Sequence, residues 1–176
     1  MKVIYYVASS LDGYIAKGDG DVSWLEGFDI PPEEYGYDAF YSTVDALVMG
    51  RQTYEMIRSF GAWPYGAKPV WVCTRSKVES IEGANLQRDT SPKEVVRAAR
   101  EQGVNHLWLV GGGNLAASFI DESLLTKISL TLMPIILGSG IPLFGLLANS
   151  NLVRLKACQT NLSGFLQIEY ELQAAS

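Results

Sequence analysis

Four short runs, Val3 to Ala8, Ala46 to Met49, Val70 to Cys73 and Leu107 to Val110, contain only aliphatic, aromatic, methionine and cysteine side chains. A strand with one wet face alternates apolar and polar residues, so runs without a polar member predict strands buried on both sides. A parallel sheet covered by helices meets that condition. Helical segments do fall between the runs. Pro31, Pro32, Glu33 and Glu34 read as a helix start, with carboxylates at the positive end of the dipole, and the helix runs to about Ser42. Gln52 to Phe60 and Asn114 to Ile120 read as short helices, and Ser91 and Pro92 open another as cap and first helical residue. The pattern then changes. Lys127 to Ile136 predicts one long strand, while Val153 to Thr160 and Phe165 to Leu172 predict an antiparallel pair. The expected fold is α/β with three layers: a mixed, mostly parallel sheet flanked by helices, with an antiparallel edge.

No linker, repeat or low-complexity stretch divides the 176 residues, so a single domain over 1–176 is expected. The formal charge of -5, with Lys and Arg scattered, argues against a nucleic-acid partner and against a polybasic surface. No apolar run reaches membrane-spanning length, and the N-terminus enters a strand without a secretory pattern. Cys73 and Cys158 form no disulfide framework, and a single histidine, His106, argues against a metal site of His and Cys. His106 precedes a strand and reads as structural or exposed rather than as a base. A reducing cytoplasm is the expected compartment.

Chemistry is sought in the segments that follow the carboxyl ends of the apolar strands, where ligands sit in open α/β sheets. These are Ser9 to Ala16, Gly50 to Thr53, Thr74 to Ser76 and Gly111 to Asn114. Gly111, Gly112 and Gly113 remove every Cβ between a buried strand and a helix, so an anionic or planar ligand can approach the amides. A tight turn with no ligand is the alternative. Gly50, Arg51, Gln52 and Thr53 repeat the arrangement with a guanidinium and a hydroxyl at a helix start, although a surface charge and a simple cap would look the same. Thr74, Arg75 and Ser76 add a second cation and two hydroxyls, or form an ordinary turn. Together they suit a dinucleotide that carries an extra ribose phosphate. No G-x-x-x-x-G-K-[ST] and no G-x-S-x-G occurs, which excludes a P-loop and a nucleophile elbow. The formal dinucleotide fingerprint from Gly111 to Ala116 comes late in the chain, and no acidic residue ends the next strand. Trp24 lies in a loop and could border a pocket or join a satellite core.

Four segments in this order resemble the dihydrofolate reductase superfamily. They are Ala8-Ser9-Ser10-Leu11-Asp12-Gly13-Tyr14-Ile15-Ala16, Val48-Met49-Gly50-Arg51-Gln52-Thr53-Tyr54-Glu55, Val110-Gly111-Gly112-Gly113, and Leu137-Gly138-Ser139-Gly140-Ile141-Pro142-Leu143-Phe144. The last leans toward the subgroup similar to the reductase domain of the riboflavin-pathway deaminase–reductase. The resemblance covers nearly the whole chain. It implies a dihydrofolate-reductase-like sheet of about eight strands, NADPH across the strand ends, and a homodimer with the apolar C-terminal strands as interface. Ala8 and Ile15 would border the nicotinamide. Gly50, Arg51, Gln52 and Thr53 would hold phosphates of the adenosine half, and Thr74, Arg75 and Ser76 the adenine ribose and its phosphate. Val110, Gly111, Gly112, Gly113, Asn114 and Leu115 would cradle the pyrophosphate and the nicotinamide ribose. The resemblance also implies a substrate-side carboxylate, with Glu34 nearest the matching position and Glu33 and Asp38 as neighbours. Thr131 matches the supporting threonine and Trp24 the loop tryptophan.

Two departures stand out. No arginine can be placed to grip a folate tail, and Asp38 to Val44, where a riboflavin-type substrate phosphate would be held, has no Arg or His. The expected function is an NADPH-dependent reduction of a C=N or C=O bond in a pterin- or pyrimidine-like molecule. The alternatives are an NADPH- or nucleotide-binding module of the same fold without efficient turnover, and a flavin- or nucleotide-binding protein.

Overall fold

The computed structural model describes residues 1–28, 30 and 32–172, with the backbone alone at 32 and 33. The first apolar run forms β1 (Lys2–Ser10), followed by a short β2 (Tyr14–Ala16). The predicted acidic helix is split. A 3-10 turn covers Pro32–Tyr35, Gly36 takes the left-handed conformation at φ 65, and α1 begins at Tyr37 (Tyr37–Thr43). Glycine adopts that conformation without the steric cost other residues meet, so the helix restarts there. Pro31 and the side chain of Glu33 lie outside the described residues.

The alternation then proceeds through β3 (Ala46–Gly50), α2 (Arg51–Ser59), β4 (Pro69–Cys73), β5 (Asn85–Asp89), α3 (Pro92–Glu101), β6 (His106–Gly111) and α4 (Gly113–Asp121), all of them expected from the sequence except β5. Ser91 caps α3, its hydroxyl accepting from Glu94 N at 3.3 Å, with Pro92 in the first turn. β7 (Lys127–Met133) stops three residues short of the expected Ile136, before Pro134, which lacks an N–H to continue a ladder. A two-residue β8 (Ile141–Pro142) and the antiparallel β9 (Val153–Thr160) and β10 (Leu166–Leu172) complete the chain.

The main sheet has eight strands in the order β5-β4-β3-β6-β1-β7-β10-β9, parallel up to β7 and antiparallel beyond it. Period-two alternation divides its apolar residues between two cores. Val3, Tyr5, Val48, Trp71 and Leu107 pack under α3 and α4 against Val95, Ala99 and Phe119. Leu47, Met49, Val72 and Trp108 pack under α1 and α2 against Tyr54, Ile57 and Phe40. This is the expected three-layer arrangement. No helix among the described residues is long and apolar enough to cross a membrane.

A second connection, invisible in the sequence, joins distant segments. β2 pairs with β8, Leu143 N donates to Gly13 O at 2.8 Å, and Tyr5 Oη donates to Leu143 O at 3.0 Å. Asp12 accepts from Leu137 N at 3.0 Å, Gly138 N at 2.7 Å and the Ser10 hydroxyl at 2.6 Å. The Ser10 hydroxyl chiefly, with these amides, holds the Asp12 carboxyl below the usual carboxylate range. A Cβ on Gly140 would overlap the Ala16 carbonyl oxygen, so the two segments lie in backbone contact. Two of the four ordered motifs are thus partners in one interlock.

Candidate functional site

A cleft of about 670 Å³ opens beyond the carboxyl ends of β1, β3 and β6. Its rim is built from two strand-to-helix turns. Gly50 caps α2 and Gly112 caps α4, and neither helix has a side-chain cap. The first amides of a helix have no partner within it, and in α3 the Ser91 hydroxyl supplies one. In α2 and α4 the cleft takes the place of a cap. The two turns touch: a Cβ on Gly50 would stand 3.8 Å from Gly111 O and 4.0 Å from Gly112 N. Two positive dipole ends therefore converge on one spot, with Arg51 exposed beside them and in no ion pair among the described residues.

The three glycines of the α4 turn do different things. Gly111 has φ 148, a left-handed conformation that other residues rarely adopt, and the Gly111–Gly112 peptide is cis. Gly112 has an ordinary φ of -89, and a Cβ there would sit 3.6 Å from Thr53 Oγ1, at the cleft surface. Gly113 is buried. A Cβ on it would overlap the Pro142 carbonyl oxygen and lie 3.1 Å from Leu143 O. The reading of three glycines all cleared for a ligand holds in space for Gly112, while Gly113 is required by packing.

The structure brings together Ala8, Ile15, Gly50, Arg51, Gln52, Thr53, Val110, Gly111, Gly112, Gly113, Asn114 and Leu115, all of which line the cleft. Thr74, Arg75 and Ser76 stand outside that lining. They follow β4, whose Cys73 pairs with Gly50, so they flank the Arg51 end, where Thr74 Oγ1 accepts from Ser76 N at 3.1 Å. Burial pushes the neighbouring Cys73 thiol up to about 11, which keeps it protonated.

The four substrate-side residues are not in the cleft lining. Thr131 is buried in β7, in register with Ala8. Glu34 lies toward β10, its carboxylate accepting from the Ser163 hydroxyl at 3.4 Å. Asp38 is exposed in the first turn of α1. Trp24 is buried with Ile30, Met133 and Phe165, and its Nε1 has no hydrogen-bond partner among the described residues.

The inner wall was not anticipated. Tyr6, Tyr65 and Trp108 line the cleft behind the rim, with Met56 of α2 and Phe60, which caps that helix. Tyr6 and Ala8 share a face of β1, and Trp108 and Val110 share one of β6, so period-two spacing from the rim residues carries the signal. A smaller cavity of about 380 Å³ lies on the other side of Tyr6, between α1 and the Lys127–Glu169 ion pair.

Comparisons with known proteins agree with this architecture. The family profile of the RibD C-terminal domain matches residues 1–166. The chain is 38% identical to the uncharacterized protein YwjB of Bacillus subtilis (strain 168) over 157 residues, 88% of this chain and 89% of that one. A putative riboflavin biosynthesis protein from Shewanella sp. PV-4 superposes with a TM-score of 0.87 at 34% identity, covering 98% and 99% of the two chains. A dihydrofolate reductase from Enterococcus faecalis, solved with NADP(H), superposes with a TM-score of 0.66 at 17% identity over 97% and 94%. At that identity the likeness shows the fold alone: it is dihydrofolate-reductase-like.

Proposed function

The chain belongs to the RibD C-terminal domain family, and on that premise we propose that it is an NADPH-dependent reductase of a C=N or C=O bond in a pterin- or pyrimidine-like small molecule. One observation carries the reading: two uncapped helix N-termini meet in a single cleft. Each offers unpaired amides and partial positive charge to an anion, and a dinucleotide's pyrophosphate is an anion of matching kind. Gly112, Gly113 and Asn114 bind it from the α4 side and Gly50 to Thr53 from the α2 side. Arg51 and Arg75, the cations at this end, hold the extra ribose phosphate, with Thr74 and Ser76 beside it. Ala8 and Ile15 would supply apolar surface beside the nicotinamide.

Bound NADPH would supply a hydride to the substrate carbon, and the heteroatom of the reduced bond would take a proton. That proton comes from solvent in this reading, since neither Glu34 nor Asp38 lines the cleft. The apolar walls exclude water from the rest of the site. The reductase comprises the whole span 1–176, because the one sheet takes strands from Lys2 to Leu172.

Titration of the purified protein with NADPH, followed by nicotinamide fluorescence and with NADH in parallel, tests the cofactor. Saturation by NADPH is expected, and Arg51→Ala should weaken NADPH more than NADH. The loss should be about tenfold, the low end for an exposed charge-assisted contact. Absence of NADPH binding sinks the reading. Binding without oxidation across pterins and pyrimidines would support the binding module instead.

The reading also places the enzyme in the cytoplasm, where its two free thiols stay reduced, and makes it a homodimer. β9 is an edge strand whose outer backbone groups pair with nothing in the sheet, and Leu152, Val153 and Leu155 are exposed along it. Such an edge suits a second copy. Light scattering should give the mass of two chains, and a monomer would remove this part.

A further inference from the structure

We propose that the substrate is an uncharged planar ring system, without a phosphate or carboxylate tail, seated against Tyr65 and Trp108. This rests on the reductase reading and adds the chemical class of what is reduced. The cleft extends well behind the glycine rim. Trp108 precedes Gly111 by three residues, or about 10 Å along a strand. Met56 stands one turn further along α2 than Arg51 to Thr53, at about 5.4 Å per turn, and Phe60 caps the helix about one turn beyond it. The phosphate turns are thus at one end, and at the other end a chamber is walled by Tyr6, Tyr65, Trp108, Met56 and Phe60.

That wall is held from behind. Trp108 Nε1 donates to Tyr6 O at 3.1 Å, and the Tyr6 and Tyr65 rings meet it edge-on at 6.0 and 5.4 Å. Tyr6 stacks on Phe40 at 4.1 Å and its hydroxyl donates to Tyr35 O at 2.9 Å. The Tyr41 hydroxyl donates to Tyr65 O at 2.7 Å, which fixes the backbone of the outer ring. Rings fixed in this way form an apolar wall at little cost in side-chain entropy, which suits an apolar ring as guest.

Charge decides the rest. Among the described residues that line the cleft, Arg51 and Asp19 are the only charged ones. Arg51 stands at the phosphate end, and Asp19 would repel an anion. Two cations on the elements that carry this wall are engaged elsewhere. Arg58 of α2 pairs with Glu55 and Glu79, and Lys68 donates to Val44 O and lies over the Tyr41 ring. An anionic tail in the chamber would therefore lose water without gaining a partner, a cost that a neutral ring does not meet. The exposed Phe60 adds an apolar surface that a ring would cover.

The test is equilibrium binding to the NADP⁺-loaded protein, read by tryptophan quenching and dialysis. The probes are 6-methylpterin against 6-carboxypterin, and a ribosylaminopyrimidine against its 5′-phosphate. The neutral member of each pair should bind at least about tenfold tighter. Tyr65→Leu should weaken the neutral probes about tenfold, more than it weakens NADPH, and Tyr65→Phe should restore them by keeping the ring. Equal or tighter binding of the anionic members overturns the proposal, as does a Tyr65→Leu protein that binds as before. It is overturned too if no neutral probe binds up to its solubility limit while NADPH still saturates. Failure of NADPH itself to bind is the separate result that removes the reductase reading.

Discussion

Gly112→Val is expected to weaken NADPH by roughly a hundredfold, equivalent to about 3 kcal/mol or two charge-assisted hydrogen bonds. The native packing accepts the first added carbon, which would lie in ordinary contact with Thr53 Oγ1 at 3.6 Å. The backbone at φ -89 accepts it as well. What the isopropyl group takes away is the approach to the first amides of α4, because Gly112 is the cap of that helix and lines the cleft. Circular dichroism should show the native spectrum, and nicotinamide fluorescence should show the lost affinity. An unchanged affinity would reduce the glycine triplet to a turn.

The neighbouring Gly113→Ala should do the opposite. Its Cβ falls on the Pro142 carbonyl oxygen and close to Leu143 O, both backbone atoms that no rotamer change can move. The segment cannot simply back away, because Gly145 N donates to Gly113 O at 2.9 Å and Gly145 itself is pressed against Asn114. Forced overpacking of this kind costs about 3 kcal/mol, or roughly 6–12 °C in melting temperature for a chain of this size. Thermal unfolding followed by circular dichroism measures it, and an unshifted transition would mean that the segment from Pro142 to Gly145 is looser than its contacts indicate. Two adjacent glycines thus separate a ligand effect from a packing effect.

The sheet was legible because its central strands are buried on both faces and say so in every residue, as in Leu47-Val48-Met49. β5 was not, because Asn85-Leu86-Gln87-Arg88-Asp89 is an edge strand with one neighbour and little apolar content to mark it. The long helix expected before β3 broke at Gly36, whose backbone freedom outweighs the helical pattern around it. Of the cleft, the rim was legible, since its residues follow the carboxyl ends of apolar strands, where ligands sit in open α/β sheets. The inner wall was not. Trp108 is almost fully buried and reads as core, and only the fold reveals that one edge of it meets a cleft. The substrate-side acids were placed by counting through an irregular loop, and the structure puts Glu34 beside Ser163 instead of in the cleft.

The interlock between the β1–β2 turn and the segment from Leu137 to Leu143 bears on how the molecule is made. Its hydrogen bonds join residues 125, 126 and 138 positions apart. On a ribosome working at about 5–20 residues per second, Asp12 waits roughly 6–25 s for its partners to be synthesised. Until then both glycine turns of the cleft exist in the nascent chain, but the β1–β2 turn has nothing to close against. The ordering cost of so long a closure falls late, and the finished β7–β8 segment meets it. On the proposed reading, competence to hold a dinucleotide is therefore acquired only near the end of synthesis.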